Sequence, residues 1–189
     1  GEFCGVEPRN SERRFAINAL LDPSIPLVTL TGLAGSGKTF LALMAALSQT
    51  NQGDLGKQLS DSGFMRRKRI VITRTLQHVG SRDLGYLPGN MQEKMAPWLA
   101  PIVDNIRVAF DDVNYFEAMV ENGQIEVAPI PYIRGRTFND CFIIVDEAQN
   151  ATIHELKTII TRVGQNSKIV LLGDIDQIDN VYVDATSNG

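Results

Sequence analysis

LVTLTGLAGSGKTFLALMAALS, residues 27–48, is the stretch from which the fold can be read. It opens on a short apolar and β-branched run, which predicts a buried strand over 27–31. Residues 38–48 are apolar nearly all round, so the helix they predict is itself buried. Between them, GLAGSGKT fits G-x-x-x-x-G-K-[ST], the loop that cradles nucleotide phosphates between a strand and a helix. Glycines let the backbone wrap a phosphate with its N–H groups turned inward. The following helix adds its positive N-terminal end. Gly32, Leu33, Ala34, Gly35, Ser36, Gly37, Lys38 and Thr39 are therefore the candidate phosphate-binding residues. Lys38 supplies a point charge to the β- and γ-phosphates, and Thr39 a hydroxyl to a magnesium ion. The bland alternative is a glycine-rich turn beside a surface lysine; the strand–loop–helix context argues against it.

Outward from this loop, strands alternate with helices. The spacing predicts a helix over 9–21 with Ser11 as N-cap, and strands over 70–73, 125–128, 142–145 and 168–172. Helices are predicted over 90–106, with breaks near Pro97 and Pro101, and over 111–121. Thr152-Ile153-His154-Glu155 has the capping-box pattern and opens a helix to about Val163. Residues 52–65, 79–89 and 129–139 read as loops. The expected fold is α/β, a parallel sheet with helices on both faces, in a single domain over 1–189.

Two further stretches fall where an open α/β sheet places its ligands, just past strand carboxyl ends. FIIVDEAQN, residues 142–150, ends a buried strand in Asp146, a candidate magnesium ligand. Glu147 follows as candidate general base, or as the group that orients the attacking water. GDIDQ, residues 173–177, follows the next strand; Gln177 is the candidate reporter of the γ-phosphate, with Asp174 and Asp176 as alternatives and a plain polar loop still open. Lys38, Glu147 and Gln177 make up the expected catalytic set. The expected cofactors are ATP and Mg²⁺.

Composition narrows the field. A formal net charge of −4 provides no general attraction for nucleic acid, so any such binding must use a local patch. The two cysteines, Cys4 and Cys141, lack metal-ligand spacing, which points to a reducing, cytoplasmic setting. No apolar run approaches the roughly 18 residues that span a bilayer.

The chain resembles the PhoH family of P-loop ATPases, which are similar to the first RecA-like domain of superfamily-one helicases. The resemblance runs through EPRN (7–10), LLDPSIPLVTLTGLAGSGKT (20–39), GYLPGNMQEKM (85–95), PIPYIRGRTF (129–138), IIVDEAQN (143–150) and GDIDQID (173–179). The GYLPGN and IRGRTF segments make it specific. It implies ATP hydrolysis tied to single-stranded RNA, in a ring-shaped homo-oligomer, in some members with a PIN-type ribonuclease domain or partner. Two departures stand out. Arg13 replaces a glutamine that in many members resembles the adenine-reading glutamine of helicases, so weak base selectivity is expected. The family also continues past the GDIDQ loop into a segment with a further arginine, so a truncated C-terminus is expected at Gly189.

Arg134 and Arg136, ahead of the Asp146 strand, read three ways: RNA contact, an arginine finger reaching a neighbouring subunit, or a structural pair bonding carboxylates and carbonyls. Arg74, after the second strand, is a similar case, with helicase analogy favouring a phosphate contact. Two functions remain open. One is an ATPase coupled to RNA binding or unwinding; the other is an ATP-gated switch for an attached or partner ribonuclease, with little RNA-coupled turnover. A small-molecule kinase is disfavoured by Glu147 and by the extra strand between GLAGSGKT and Asp146.

Overall fold

A computed structural model describes residues 11–22, 24–31, 37–50, 67–75, 114–133 and 135–173. The expected loops over 52–65 and 79–89, the helix over 90–106, most of the GLAGSGKT loop, Arg134 and the GDIDQ loop beyond Gly173 lie outside these residues, as does the side chain of Arg13.

In chain order the elements are α1 (Ser11–Leu21), β1 (Leu27–Leu30), α2 (Gly37–Thr50), β2 (Arg69–Arg74), α3 (Asn114–Glu121), β3 (Ile125–Pro129), α4 (Ile130–Ile133), β4 (Cys141–Val145), α5 (Ile153–Ile160) and β5 (Lys168–Leu172). A 3-10 turn, Ala148–Asn150, joins β4 to α5. The five strands form one all-parallel sheet in the order β1-β5-β4-β2-β3. The fold is thus the expected α/β architecture.

Strand alternation divides the apolar side chains between two cores. Val28, Leu30, Ile70, Ile72, Phe142, Ile144, Val170 and Leu172 pack with α1, α2 and α3 on one face. Val71, Ile143, Val145, Ile169 and Leu171 pack with α4 and α5 on the other. The chain steps outward from β1 to β2 and β3 over the first face and returns to β4 and β5 over the second. Right-handed crossovers require this change of face when the direction reverses.

The apolar run of α2 is buried from Leu41 through Thr50. Its late polar residues are tolerated because their hydroxyls stay on the helix: Ser48 Oγ donates to the Ala45 carbonyl and Thr50 Oγ1 to that of Ala46, both at 2.8 Å. The capping box also forms. Thr152 Oγ1 accepts from the Glu155 N–H and Glu155 Oε1 from the Thr152 N–H, each at 3.0 Å. Two local expectations are corrected. The stretch 129–139 is not all loop, since α4 occupies part of it, and α5 ends at Ile160, because Val163 leaves to bridge Phe138 in parallel.

Lys168, the first residue of β5, is fully buried. Its Nζ donates to the carbonyl oxygens of Ala19 and Asp22, the latter at 2.9 Å. Gln49 donates to the Leu20 carbonyl at 2.9 Å and accepts from Arg67. Carbonyls that a helix terminus leaves unpaired are thus taken up by side chains of β5 and α2, which fasten α1 to the sheet. Burial, and after it the charge of Arg67, push the Lys168 ammonium down from 10.5 to about 8, against the pull of Asp22. The folded value lies below the unfolded one, so between those two pH values the unfolded chain binds more protons and stability rises with pH. Urea midpoints of the parent are therefore expected to climb relative to Lys168→Met from pH 8 upward toward 10.5. Parallel curves for the two proteins would refute the burden placed on this charge.

Candidate functional site

The carboxyl ends of β1, β5 and β4 stand side by side along one edge of the sheet. α2 starts from the β1 end with Gly37, Lys38 and Thr39 in its first turn, all three only partly buried. The β4 end runs straight into Asp146 and Glu147, also partly buried. Between them β5 is followed by Gly173, whose N–H donates to the Leu30 carbonyl at 3.2 Å. One strand therefore separates the Lys38–Thr39 turn from Asp146. Two interstrand spacings set the strand ends roughly 9–10 Å apart. That gap suits a ligand laid across the sheet's edge.

Lys38 stands in an unfavourable place for a cation. It lies at the N-terminal end of a helix, where the dipole repels positive charge, and the first turn of α2 holds no acidic residue. Such an arrangement is relieved by an anion. Thr39 and Asp146 bring oxygen donors from the two sides, the donor type that magnesium prefers.

Asp146 is anchored by its backbone: its N–H donates to the Thr73 carbonyl at 2.9 Å. Glu147 then adopts a left-handed conformation, φ 47° and ψ 48°, which is uncommon for a residue with a side chain. This turn lifts the chain off the strand and brings Glu147 beside the end of β2. There its Oε2 forms an ion pair with Arg74 Nη2 and accepts from Asn150 Nδ2 at 3.2 Å. Neither contact was foreseen from the sequence. Asn150 had a local signal, standing three residues after Glu147 within one turn. Arg74 had none, since its approach depends on the β2–β4 register, Thr73 beside Val145.

Arg136 lies elsewhere. Its guanidinium forms a two-pronged pair with Glu126 of β3, Nη1 to Oε1 at 2.5 Å and Nη2 to Oε2 at 2.9 Å, and sits 5.1 Å from the centre of the Phe138 ring. Arg69 approaches the same carboxylate at 3.5 Å. The hydrogen bond from Arg136 holds the Glu126 carboxyl below its ordinary value, and the same bond raises Arg136. Glu126 is level with Val71 and Ile143, three residues short of Asp146, which is roughly 10 Å down the strands. By strand order α2, with Lys38 and Thr39 in its first turn, follows β1, and Asp146 and Glu147 follow β4 two strands over; Glu147 meets Arg74, while Arg136 pairs with Glu126 further down the sheet. Gln177 and Arg134 are outside the described residues.

The profile of the PhoH-like protein family matches residues 5–189. Protein PhoH2 of Bacillus subtilis is 47% identical over 188 residues, which cover 98% of this chain and 40% of that protein. Protein PhoH2 of Thermobispora bispora is 37% identical over 182 residues, 96% of this chain and 39% of that protein. A PhoH-like protein of Mycobacterium tuberculosis is 42% identical over 174 residues, 92% of this chain and 45% of that protein. The chain thus spans less than half the length of these relatives. Among the described residues no helix is long and apolar enough to cross a membrane. With a family match over nearly its whole length and 47% identity to one member, the chain belongs to the PhoH-like protein family.

Proposed function

We propose that this chain binds ATP with magnesium across the carboxyl ends of β1, β5 and β4 and hydrolyses the γ-phosphate. The observation that supports the reading is the strand order β1-β5-β4, with α2 and its Lys38 and Thr39 following β1 and with Asp146 and Glu147 following β4. In this reading residues 32–39 wrap the triphosphate, and Lys38 bridges its β- and γ-phosphates. Thr39 and Asp146 would hold the magnesium ion, which would neutralise charge on the phosphates. Glu147 orients the attacking water and takes its proton. Gln177, past the end of β5, answers to the presence of the γ-phosphate. Preorganised charge and position, rather than covalent chemistry, carry this class of reaction.

Coupling to single-stranded RNA in a ring of subunits, and a PIN-type nuclease as attached domain or partner, extend the reading on family resemblance alone. With Arg136 occupied by Glu126, RNA contact within 129–139 falls to Arg134. The deciding experiment measures magnesium-dependent phosphate release from ATP by the full-length protein, with and without single-stranded RNA, beside its size in solution with ATP. Release that RNA accelerates supports the motor reading. Tight ATP binding with slow, RNA-insensitive release supports a switch. No ATP binding overturns the proposal.

A further inference from the structure

Glu147 Oε2 is held by two donors from different parts of the chain, and one of them is a guanidinium that the fold has almost enclosed. We propose that Arg74 is the positioning residue of the hydrolytic site, fixing the Glu147 carboxylate through its ion pair so that the carboxylate meets the attacking water. This rests on the ATP-hydrolysis reading above and adds to it a residue that acts through Glu147 rather than on the nucleotide or on RNA.

The geometry favours this role over a surface phosphate contact. Arg74 closes β2, a strand flanked on both sides, by β4 and β3. Only 10% of its side chain is exposed, against 35% for Glu147. An RNA backbone needs a guanidinium open to solvent, whereas a positioning group works best when packing locks its rotamer. Taking a guanidinium out of water is costly unless an anion and further hydrogen bonds compensate it. A carboxylate at the sheet's catalytic edge is a partner of that kind. The pairing is also built into the backbone. Thr73 lies beside Val145, and its carbonyl accepts the Asp146 N–H, so Arg74 leaves β2 level with Asp146, one residue before Glu147. The left-handed turn at Glu147 then completes the approach. Asn150, from the next turn, fastens the same oxygen. A carboxylate restrained from two directions cannot swing freely, and small misplacements of a reacting group cost up to about 10²-fold in rate.

A double-mutant cycle in the full-length protein tests this, reading single-turnover ATP hydrolysis, the KM for ATP and thermal melting. Arg74→Ala is expected to lower kcat by about 10- to 100-fold with KM nearly unchanged, because the residue does not touch the nucleotide. In a Glu147→Gln background the same substitution should cost almost nothing more, since the group it positions is already disabled. Arg74→Lys keeps the charge but loses the planar fork, so it should recover part of the rate. Effects of Arg74→Ala and Glu147→Gln that multiply would overturn the proposal, as would a kcat equal to or above the parent's. A rise in KM with kcat intact would likewise overturn it, marking a nucleotide contact. If Arg74→Ala does not fold, Arg74→Lys carries the same cycle. A Glu147→Gln protein that turns over like the parent would instead defeat the general-base reading itself, whatever Arg74 does.

Discussion

Replacing Glu147 by glutamine is expected to slow ATP hydrolysis by about 10²–10⁴-fold, the usual contribution of a positioned general base, while ATP still binds. The amide keeps the size of the carboxylate and loses its ability to take a proton. In energy that is on the order of 3–5 kcal/mol of barrier. Binding is spared because the proposed triphosphate contacts are made by residues 32–39 and Asp146 rather than by Glu147. Some stability should be lost, since the nearly enclosed Arg74 loses its compensating anion, although it can still donate to an amide oxygen. Single-turnover phosphate release and equilibrium binding of ATP, measured on the same preparation, separate the two effects. A variant that hydrolyses at the parent's rate would remove Glu147 from the chemistry. One that no longer binds ATP would make it a ligand-binding group instead.

The strands were the most legible part of the molecule. Lys168–Leu172 occupies the range read from its residues, and β1, β3 and β4 differ from the expected ranges by one residue at an end. Central parallel strands are buried on both faces and therefore show as unbroken apolar runs, as in CFIIV and in the IVLL that follows Lys168, where every residue is buried. The capping box of α5 was legible because it is written in four consecutive residues. The helical turn α4 was missed because two prolines, Pro129 and Pro131, read as loop punctuation. Pro131 stands in the first turn of that short helix, where its missing N–H costs nothing.

The site was legible at the level of its parts. Lys38, Thr39, Asp146 and Glu147 were each named from a motif whose chemistry demands a strand end or a helix start, and they stand at the start of α2 and just past β4, whose strand lies one strand away from β1. Contacts that join distant segments were hidden. Arg74 meets Glu147 across 73 positions of sequence (147 − 74), and Lys168 reaches Ala19 across 149. Both depend on strand register and crossover topology, which local pattern does not encode. The same holds for Arg136, one of whose three sequence readings was a structural pair. Its observed partner, Glu126, sits in a strand whose pairing with β2 is set far away in the chain.

Lys38→Ala is expected to weaken ATP binding by about 10²–10⁴-fold. A hydrogen bond to a charged group contributes on the order of 1.5–3 kcal/mol, and a lysine bridging the β- and γ-phosphates makes about two, roughly 3–6 kcal/mol in total. ADP keeps one of those contacts and should lose about half as much, so the preference for ATP over ADP should shrink. AMP carries neither phosphate, and its weak binding should not change. The apoprotein should fold at least as well without the lysine. Lys38 makes no ion pair among the described residues, and it opposes the dipole of α2 from within its first turn, so its removal relieves a few tenths of a kcal/mol. Isothermal titration with ATP, ADP and AMP, beside a thermal melt without nucleotide, reads all four quantities. Equal losses for the three nucleotides would place Lys38 near the base or sugar rather than the outer phosphates. A lower melting temperature in the apoprotein would mean that the lysine is part of the fold, and the anion-seeking arrangement at the start of α2 would lose its support.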